Sequence, residues 1–160
     1  MIEYIKKGDI FESKCDAYVN PVNLFGVMGK GLAADFRAEF PKNFKYYSDL
    51  SVKGETAIGK CHTHKVTKEE SSIFDGLLVI NFPTKSSWKW PSKIEYIDAG
   101  LQNLTEIIKE KNIKSIAVPG LGCGNGQLNW DEVKVLIEKH FENLPDVKVE
   151  VYEPKVKKWH

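Results

Sequence analysis

Two glycine-rich segments, Gly26-Val27-Met28-Gly29-Lys30-Gly31 and Gly120-Leu121-Gly122-Cys123-Gly124-Asn125-Gly126, each follow a run that reads as a buried strand. Apolar strands covered on both faces belong to sheets with helices above and below. A glycine-rich turn after such a strand lets backbone N–H groups wrap an anion without side-chain obstruction. Two of these loops in one small chain point to a ligand with two phosphates, held from both sides.

The rest of the chain supplies the layers. Residues 2–6 alternate as a first strand, and Gly8-Asp9 turns the chain. Ala17-Tyr18-Val19 is a short strand expected to stop at the turn-rich Asn20-Pro21-Val22-Asn23. Residues 31–39 read as a helix, with Leu32, Ala33, Phe36 and Phe40 at helical spacing and Pro41 just beyond. Phe44, Tyr46, Tyr47 and Leu50 mark a second, shorter helix. Residues 56–66 read as a strand pair or one long bent strand. Residues 76–82 hold the apolar run Leu77-Leu78-Val79-Ile80, which ends in Pro83-Thr84-Lys85. An amphipathic helix spans 92–111, with Ser92 and Glu95 at the spacing of a capping box. Residues 115–119 form a strand, 130–141 the last helix and 147–152 the last strand; 155–160 read as a solvated tail. This order predicts one three-layer α/β/α domain over 1–160 with a central mixed β-sheet. Ligands bind such sheets beyond the carboxyl ends of the strands. Asn20-Pro21, Pro83-Thr84-Lys85 and Pro119-Gly120 all sit at such ends.

Composition narrows the classes. The chain has 160 residues, 42% hydrophobic and 28% charged, the balance of one folded domain rather than a disordered chain. A net charge of +1 gives no global field toward nucleic acid and leaves only local patches. No apolar run reaches membrane-spanning length, and the first residues open a strand rather than a leader. Cys15, Cys61 and Cys123 form no CxxC and leave an odd thiol, which fits a reducing cytosol. A cytoplasmic monomer without membrane contact is the expectation.

Several side chains carry candidate chemistry. The first loop is not a phosphate loop of the G-x-x-x-x-G-K-[ST] kind, because Gly31 follows Lys30. It does precede a helix, whose N-terminus favours a phosphate. Asn20 and Asn23 flank a tight turn, where their amides either bond sugar hydroxyls or close an Asx turn. Lys85 follows an apolar strand, with Trp88 and Trp90 just beyond; a lysine desolvated by such neighbours has a lowered pKa and becomes a usable nucleophile. Trp88-Lys89-Trp90 interleaves aromatics with a cation, the recipe for single-stranded nucleic acid, or else two tryptophans that cap the core. Cys61-His62-x-His64 has metal-ligand residue types, but no second cluster completes a tetrahedron, so no metal is expected.

Together these segments resemble the macrodomain family. The resemblance rests on Gly8-Asp9-Ile10, Asp16-Ala17-Tyr18-Val19-Asn20-Pro21-Val22-Asn23, the first glycine loop and Pro119-Gly120-Leu121-Gly122-Cys123-Gly124, and it covers nearly the whole chain. Gly26–Ala33, Asn81-Phe82-Pro83-Thr84-Lys85 and Gly124-Asn125-Gly126 are similar to one branch, that of the DarG antitoxin macrodomain. Human terminal ADP-ribose protein glycohydrolase is a related branch. The DarG-type domain removes ADP-ribose from thymidine in single-stranded DNA and so reverses a DarT toxin, a functional partner of the kind the resemblance implies here.

The resemblance implies ADP-ribose as ligand and product, no cofactor, and Lys85 as the catalytic residue. Asp9 and Ile10 would contact adenine, and Tyr152 would stack on it. Gly26, Val27, Met28, Gly29, Lys30 and Gly31 would bracket the diphosphate with Gly120, Leu121, Gly122, Cys123, Gly124, Asn125 and Gly126. Asn23, with Asn20, would orient the distal ribose, and Thr84 would line the site beside Lys85. Trp88, Lys89 and Trp90 would meet the nucleic acid. Neutral Lys85 would attack the anomeric carbon directly, or the aldehyde of a ring-opened sugar to give a Schiff base. The human branch keeps a catalytic aspartate where this chain has Gly126, so the general acid must come from elsewhere. Ser86-Ser87 also stand where a basic residue and a histidine are common. Other readings of the same site are a phosphatase for ADP-ribose 1″-phosphate, a deacylase for O-acetyl-ADP-ribose, and a non-catalytic reader of ADP-ribose.

Overall fold

The structure, a computed structural model, describes residues 1–155; the proposed solvated tail lies, apart from Lys155, outside the described residues. Six strands run in the order β1 (Ile2–Ile5), β2 (Ala17–Asn23), β3 (His62–Lys65), β4 (Leu78–Lys85), β5 (Ser115–Pro119) and β6 (Lys148–Tyr152). Four helices, α1 (Gly31–Glu39), α2 (Pro41–Val52), α3 (Ile94–Glu110) and α4 (Trp130–Phe141), connect them. The sheet order is β1-β6-β5-β2-β4-β3, and every neighbouring pair is parallel except β3 with β4. Among the described residues no helix is long and apolar enough to cross a membrane.

Alternation along the strands builds two cores. Ala17 and Val19, Ile80 and Phe82, and Ile116 and Val118 face α3 and α4, where they meet Ile97, Leu101, Leu104, Val133 and Ile137. Tyr18, Val79 and Ala117 point the other way and join Ile10, Phe36 and Phe40 on the α1 side. Phe11, Phe40 and Phe74 add edge-on and tilted ring contacts there. The mixed three-layer sheet is therefore the predicted architecture. Gly100, inside α3, lets the helix sit directly on Phe82: a Cβ there would come within 2.9 Å or less of three atoms of that ring.

Four local readings change. β2 does not stop at Asn20 but runs through Pro21 to Asn23. β5 pairs with β2 only at Ala17 and Tyr18, so one side of β2 is open from Val19 onward and a missing N–H is tolerated there. Pro41 is the first residue of α2 rather than a mere stop for α1, and it makes α2 the longer of the two helices. Residues 56–61 form no strand, leaving only the four-residue β3. Ser92 does not cap α3: Lys93 holds the cap position without a side-chain bond, and the Ser92 hydroxyl donates to the Thr84 carbonyl instead.

The topology sets the position of the site. The chain leaves β2 toward β4 on one side and leaves β5 toward β6 on the other, so the winding reverses between β2 and β5. The two strands diverge after Tyr18 and Ala117, opening a crevice at their carboxyl ends. Both glycine loops emerge beside it, and β2 carries its pairing with β4 up to Asn23 opposite Lys85.

Candidate functional site

The first loop is folded by Asn23. Its Oδ1 accepts from the Phe25 and Val27 N–H groups at 3.0 and 3.3 Å, and its Nδ2 donates to the Val27 carbonyl at 2.8 Å. Of the two chemistries open to this asparagine, closing the turn is the one the structure displays. The Tyr47 hydroxyl donates to the Asn23 carbonyl at 2.9 Å and the Ser48 hydroxyl to Gly26 at 3.1 Å, which clamps the loop on α2. Gly26 has φ +70°, and a Cβ there would lie 3.0 Å from the Ser48 Cα, so glycine is required. Met28 is buried with Val22 and Tyr47, anchoring the loop from below. Val27, Gly29, Lys30 and Gly31 remain exposed, and α1 begins at Gly31 with no side-chain cap on its first turn. A helix start without a side-chain cap has the N–H groups and dipole that favour an anion.

The two loops meet: a Cβ on Gly31 would sit 3.2 Å from Asn125 Nδ2. Three of the second loop's glycines are there for packing. A Cβ on Gly120 would lie 2.7 Å from Pro154 Cδ, and one on Gly122 (φ +73°) would lie 2.7 Å from Leu128 Cδ1. At Gly126 it would reach 2.9 Å from the Gly122 carbonyl carbon and closer to its oxygen. A carboxylate-bearing residue at 126 therefore has no room in this loop. Gly124 meets nothing, and with exposed Asn125 it is where a ligand can approach the backbone closely. Leu121 is core. Burial pushes the half-buried Cys123 thiol up to about 12, which keeps it protonated at neutral pH.

Lys85 ends β4, half-buried, with its Nζ donating to the Trp88 carbonyl at 3.2 Å. Burial and then the nearby Lys30 ammonium hold its pKa below the ordinary lysine value. At the other end, Asp9 is exposed and caps the short turn Ile10–Glu12, accepting from Phe11 N–H at 2.9 Å. Tyr152 lies beside this turn: a Cβ on Gly8 would be 3.3 Å from its ring. The Ile10 side chain is buried in the α1-side core. Thr84 is likewise buried, its hydroxyl donating to the Val22 carbonyl at 3.4 Å.

Asn20 departs from its expected role. It is fully buried beneath the first loop, its Nδ2 bonded to Asn81 Oδ1 at 3.1 Å and lying 3.8 Å from Met28 Sδ. It cannot touch a ribose from there. It belongs to a polar chain that sequence reasoning missed. Asn43 and Asn81 exchange amide bonds at 2.8 and 3.0 Å, Asn43 N–H donates to Glu70 at 2.9 Å, and Glu70 meets His64 at 2.7 Å. The signal was an asparagine at the end of the apolar run Leu77–Ile80. The two tryptophans do not cap the core: Trp88 is 53% and Trp90 64% exposed. His62 faces the Glu55 carbonyl and Cys61 the Gly100 carbonyl, so Cys61, His62 and His64 have separate partners.

A family model for the Macro domain matches residues 19–137. The chain belongs to the Macro domain family. A Mycobacterium tuberculosis protein named DNA ADP-ribosyl glycohydrolase is 44% identical to this macrodomain over 155 residues, covering 96% of the chain and 42% of the relative. The macrodomain thus spans about two fifths of the length of this relative. The solved macrodomain of M. tuberculosis DarG superposes with a TM-score of 0.89 at 42% identity, covering 97% of this chain and 99% of that one. Thermosipho africanus DarTG, solved in complex with ADP-ribose, gives 0.88 at 34% identity, covering 99% of this chain and 43% of that one. A T. africanus relative carries the name DNA ADP-ribosyl transferase-DNA ADP-ribosyl glycohydrolase fusion protein, at 36% identity over 92% of this chain and 41% of its own length.

Proposed function

We propose that this macrodomain binds ADP-ribose in the crevice between β2 and β5 and hydrolyses its link to thymidine in single-stranded DNA, with Lys85 as the catalytic residue. The observation that carries the reading is Lys85 itself. It stands at the carboxyl end of β4, paired in register with the residue that folds the first glycine loop, and its ammonium is disfavoured by burial and by Lys30. A lysine used only for binding phosphate gains nothing from a lowered pKa. The names of the DNA ADP-ribosyl glycohydrolases at 40% identity or more support the substrate class.

The chemistry balances without a carboxylate. The Lys85 nitrogen forms a bond to the anomeric carbon as the bond from that carbon to the base breaks. The attacking amine becomes a substituted ammonium, which is acidic enough to hand its proton to the departing base. Water then releases ADP-ribose and restores the amine. In a ring-opened route, the ribose ring oxygen leaves the anomeric carbon as a hydroxyl and Lys85 Nζ adds to the resulting iminium carbon. The bond to the base then breaks with the amine proton passing to the base, and water hydrolyses the remaining Schiff base to ADP-ribose and free Lys85. The Trp88 carbonyl orients the amine in either route by accepting one of its N–H groups. The diphosphate lies along Gly29, the start of α1 and Gly124-Asn125, with Lys30 nearby. Asp9 and Tyr152 frame the adenine, and a DarT-like transferase is the enzyme whose product this domain would remove.

A panel of ADP-ribosylated single-stranded DNA, RNA and protein tests the proposal. Release of ADP-ribose from the thymidine oligonucleotide in preference to the others is the expected result. Tight ADP-ribose binding with no release from any conjugate would make this domain a reader instead.

A further inference from the structure

We infer that the cavity between the β4–α3 loop and the first turn of α3 is a second nucleotide subsite, which takes the base and phosphate next to the modified thymidine. The inference rests on the proposed action on single-stranded DNA. The cavity holds about 340 Å³ and is lined by Ser86, Trp90, Pro91, Ser92, Lys93 and Tyr96. That is the lower part of the range for small-molecule sites, enough for one nucleotide and too small for a folded partner.

Its position follows from the chain. Ser86, in its wall, is the residue after Lys85, and Lys85 is tied to this loop through the Trp88 carbonyl. A strand that places its modified base at Lys85 must therefore pass within one nucleotide of this cavity. Its lining matches that passenger. Trp90 and Tyr96 offer flat ring faces, and Trp90 is 64% exposed although nothing in the fold requires a tryptophan in solvent. Lys93 holds its ammonium 5.8 Å over the Tyr96 ring, and Lys89 does the same at 5.4 Å over Trp88. Residues 85–93 contain three lysines and no acid in a chain whose net charge is only +1. Ring faces for stacking beside ammonium groups for phosphate are what single-stranded nucleic acid needs. The Ser92 hydroxyl is spent on the Thr84 carbonyl, which leaves Ser86 to bond a base edge.

Two arms test the subsite. Unmodified oligothymidylate is titrated at low salt, following intrinsic tryptophan fluorescence, into the wild-type protein and into Lys93→Gln and Tyr96→Leu. Quenching is expected, with affinity about tenfold weaker in Tyr96→Leu and a salt slope smaller by about one unit in Lys93→Gln. In the second arm, kcat/KM is compared between an ADP-ribosylated thymidine mononucleotide and an oligonucleotide extended on both sides. The wild type should favour the oligonucleotide about tenfold, and the two variants should lose that preference. Thermal melting confirms that the variants fold. Equal kcat/KM on both substrates in the wild type, or a preference that the variants keep, overturns the subsite while leaving the glycohydrolase reading intact. If no substrate is cleaved, the first arm decides alone: binding that Tyr96→Leu weakens upholds the subsite, and absent or unaltered binding overturns it.

Discussion

Gly126→Ala and Gly124→Ala should fail in opposite ways, although both glycines lie in one loop two residues apart. At 126 the new methyl would come 2.9 Å from the Gly122 carbonyl carbon and Cα, and nearer still to the oxygen. The loop has little freedom to yield. The Gly122 carbonyl accepts from Leu128 N–H at 2.9 Å, and the Gly126 carbonyl accepts from Ser92 N–H at 2.9 Å. Overpacking of this kind costs about 2 kcal/mol. In a chain of this size that lowers Tm by roughly 4–8 °C. At 124 a methyl meets no atom within 4 Å, so Tm should stay within about 1 °C of the wild type. ADP-ribose affinity should nevertheless fall there, by about tenfold, because the methyl occupies the space a phosphate would use. Differential scanning fluorimetry with calorimetric titration of ADP-ribose reads both effects. A Gly126→Ala protein as stable as the wild type would refute the packing argument. So would a Gly124→Ala protein that binds ADP-ribose normally refute the assignment of the open glycine to the ligand. The same geometry predicts that Gly126→Asp destabilises the loop and supplies no working general acid.

Other outcomes follow from named contacts. A depressed lysine pKa means that the neutral amine accumulates at lower pH than usual, so kcat/KM should rise through a limb below the ordinary lysine value of about 10.4. Lys30→Ala removes the second cause of that depression, so the limb should move to higher pH and activity at neutral pH should fall; an unmoved limb in the pH–rate profile contradicts the coupling. Asn81→Ala strips buried partners from Asn20, Asn43 and the His62 carbonyl, and should cost about 3 kcal/mol in urea denaturation; a loss under about 1 kcal/mol would show that water replaces the amide. Asn23→Ala removes the three bonds that fold the first loop, and should weaken ADP-ribose binding about tenfold with little change in Tm.

The parts of this fold that the sequence reveals are those where period and burial agree. β5 and α4 carry strong apolar patterns with clean ends and α1 is bounded by Gly31 and Pro41, and the limits of all three are read residue for residue. Where a residue's local preference opposes its tertiary setting, the local reading fails. Pro21 looks like a strand stop, yet β2 runs on because its β5-side neighbour has already diverged. Ser92 looks like a cap, yet its hydroxyl finds a buried carbonyl across the loop. The site divides in the same way. The position of Lys85 is legible, at the end of an apolar strand just before two tryptophans, but its proximity to Lys30 of the first loop is not a matter of near neighbours in the chain. The roles of Asn20, Asn23 and the second-loop glycines depend on which side of the loop each one faces, and one chain's spacing does not encode that. The Asn20–Asn81–Asn43–Glu70 chain joins residues up to 61 positions apart, so it becomes visible only once β2, β4 and α2 are assembled.

The most direct test of the account is the single-turnover release of ADP-ribose from an ADP-ribosylated thymidine oligonucleotide, comparing the wild type with Lys85→Ala. The wild type should free ADP-ribose and leave the unmodified oligonucleotide, and Lys85→Ala should be slower by at least about a hundredfold while still binding ADP-ribose. Release at the wild-type rate from Lys85→Ala would contradict the central claim.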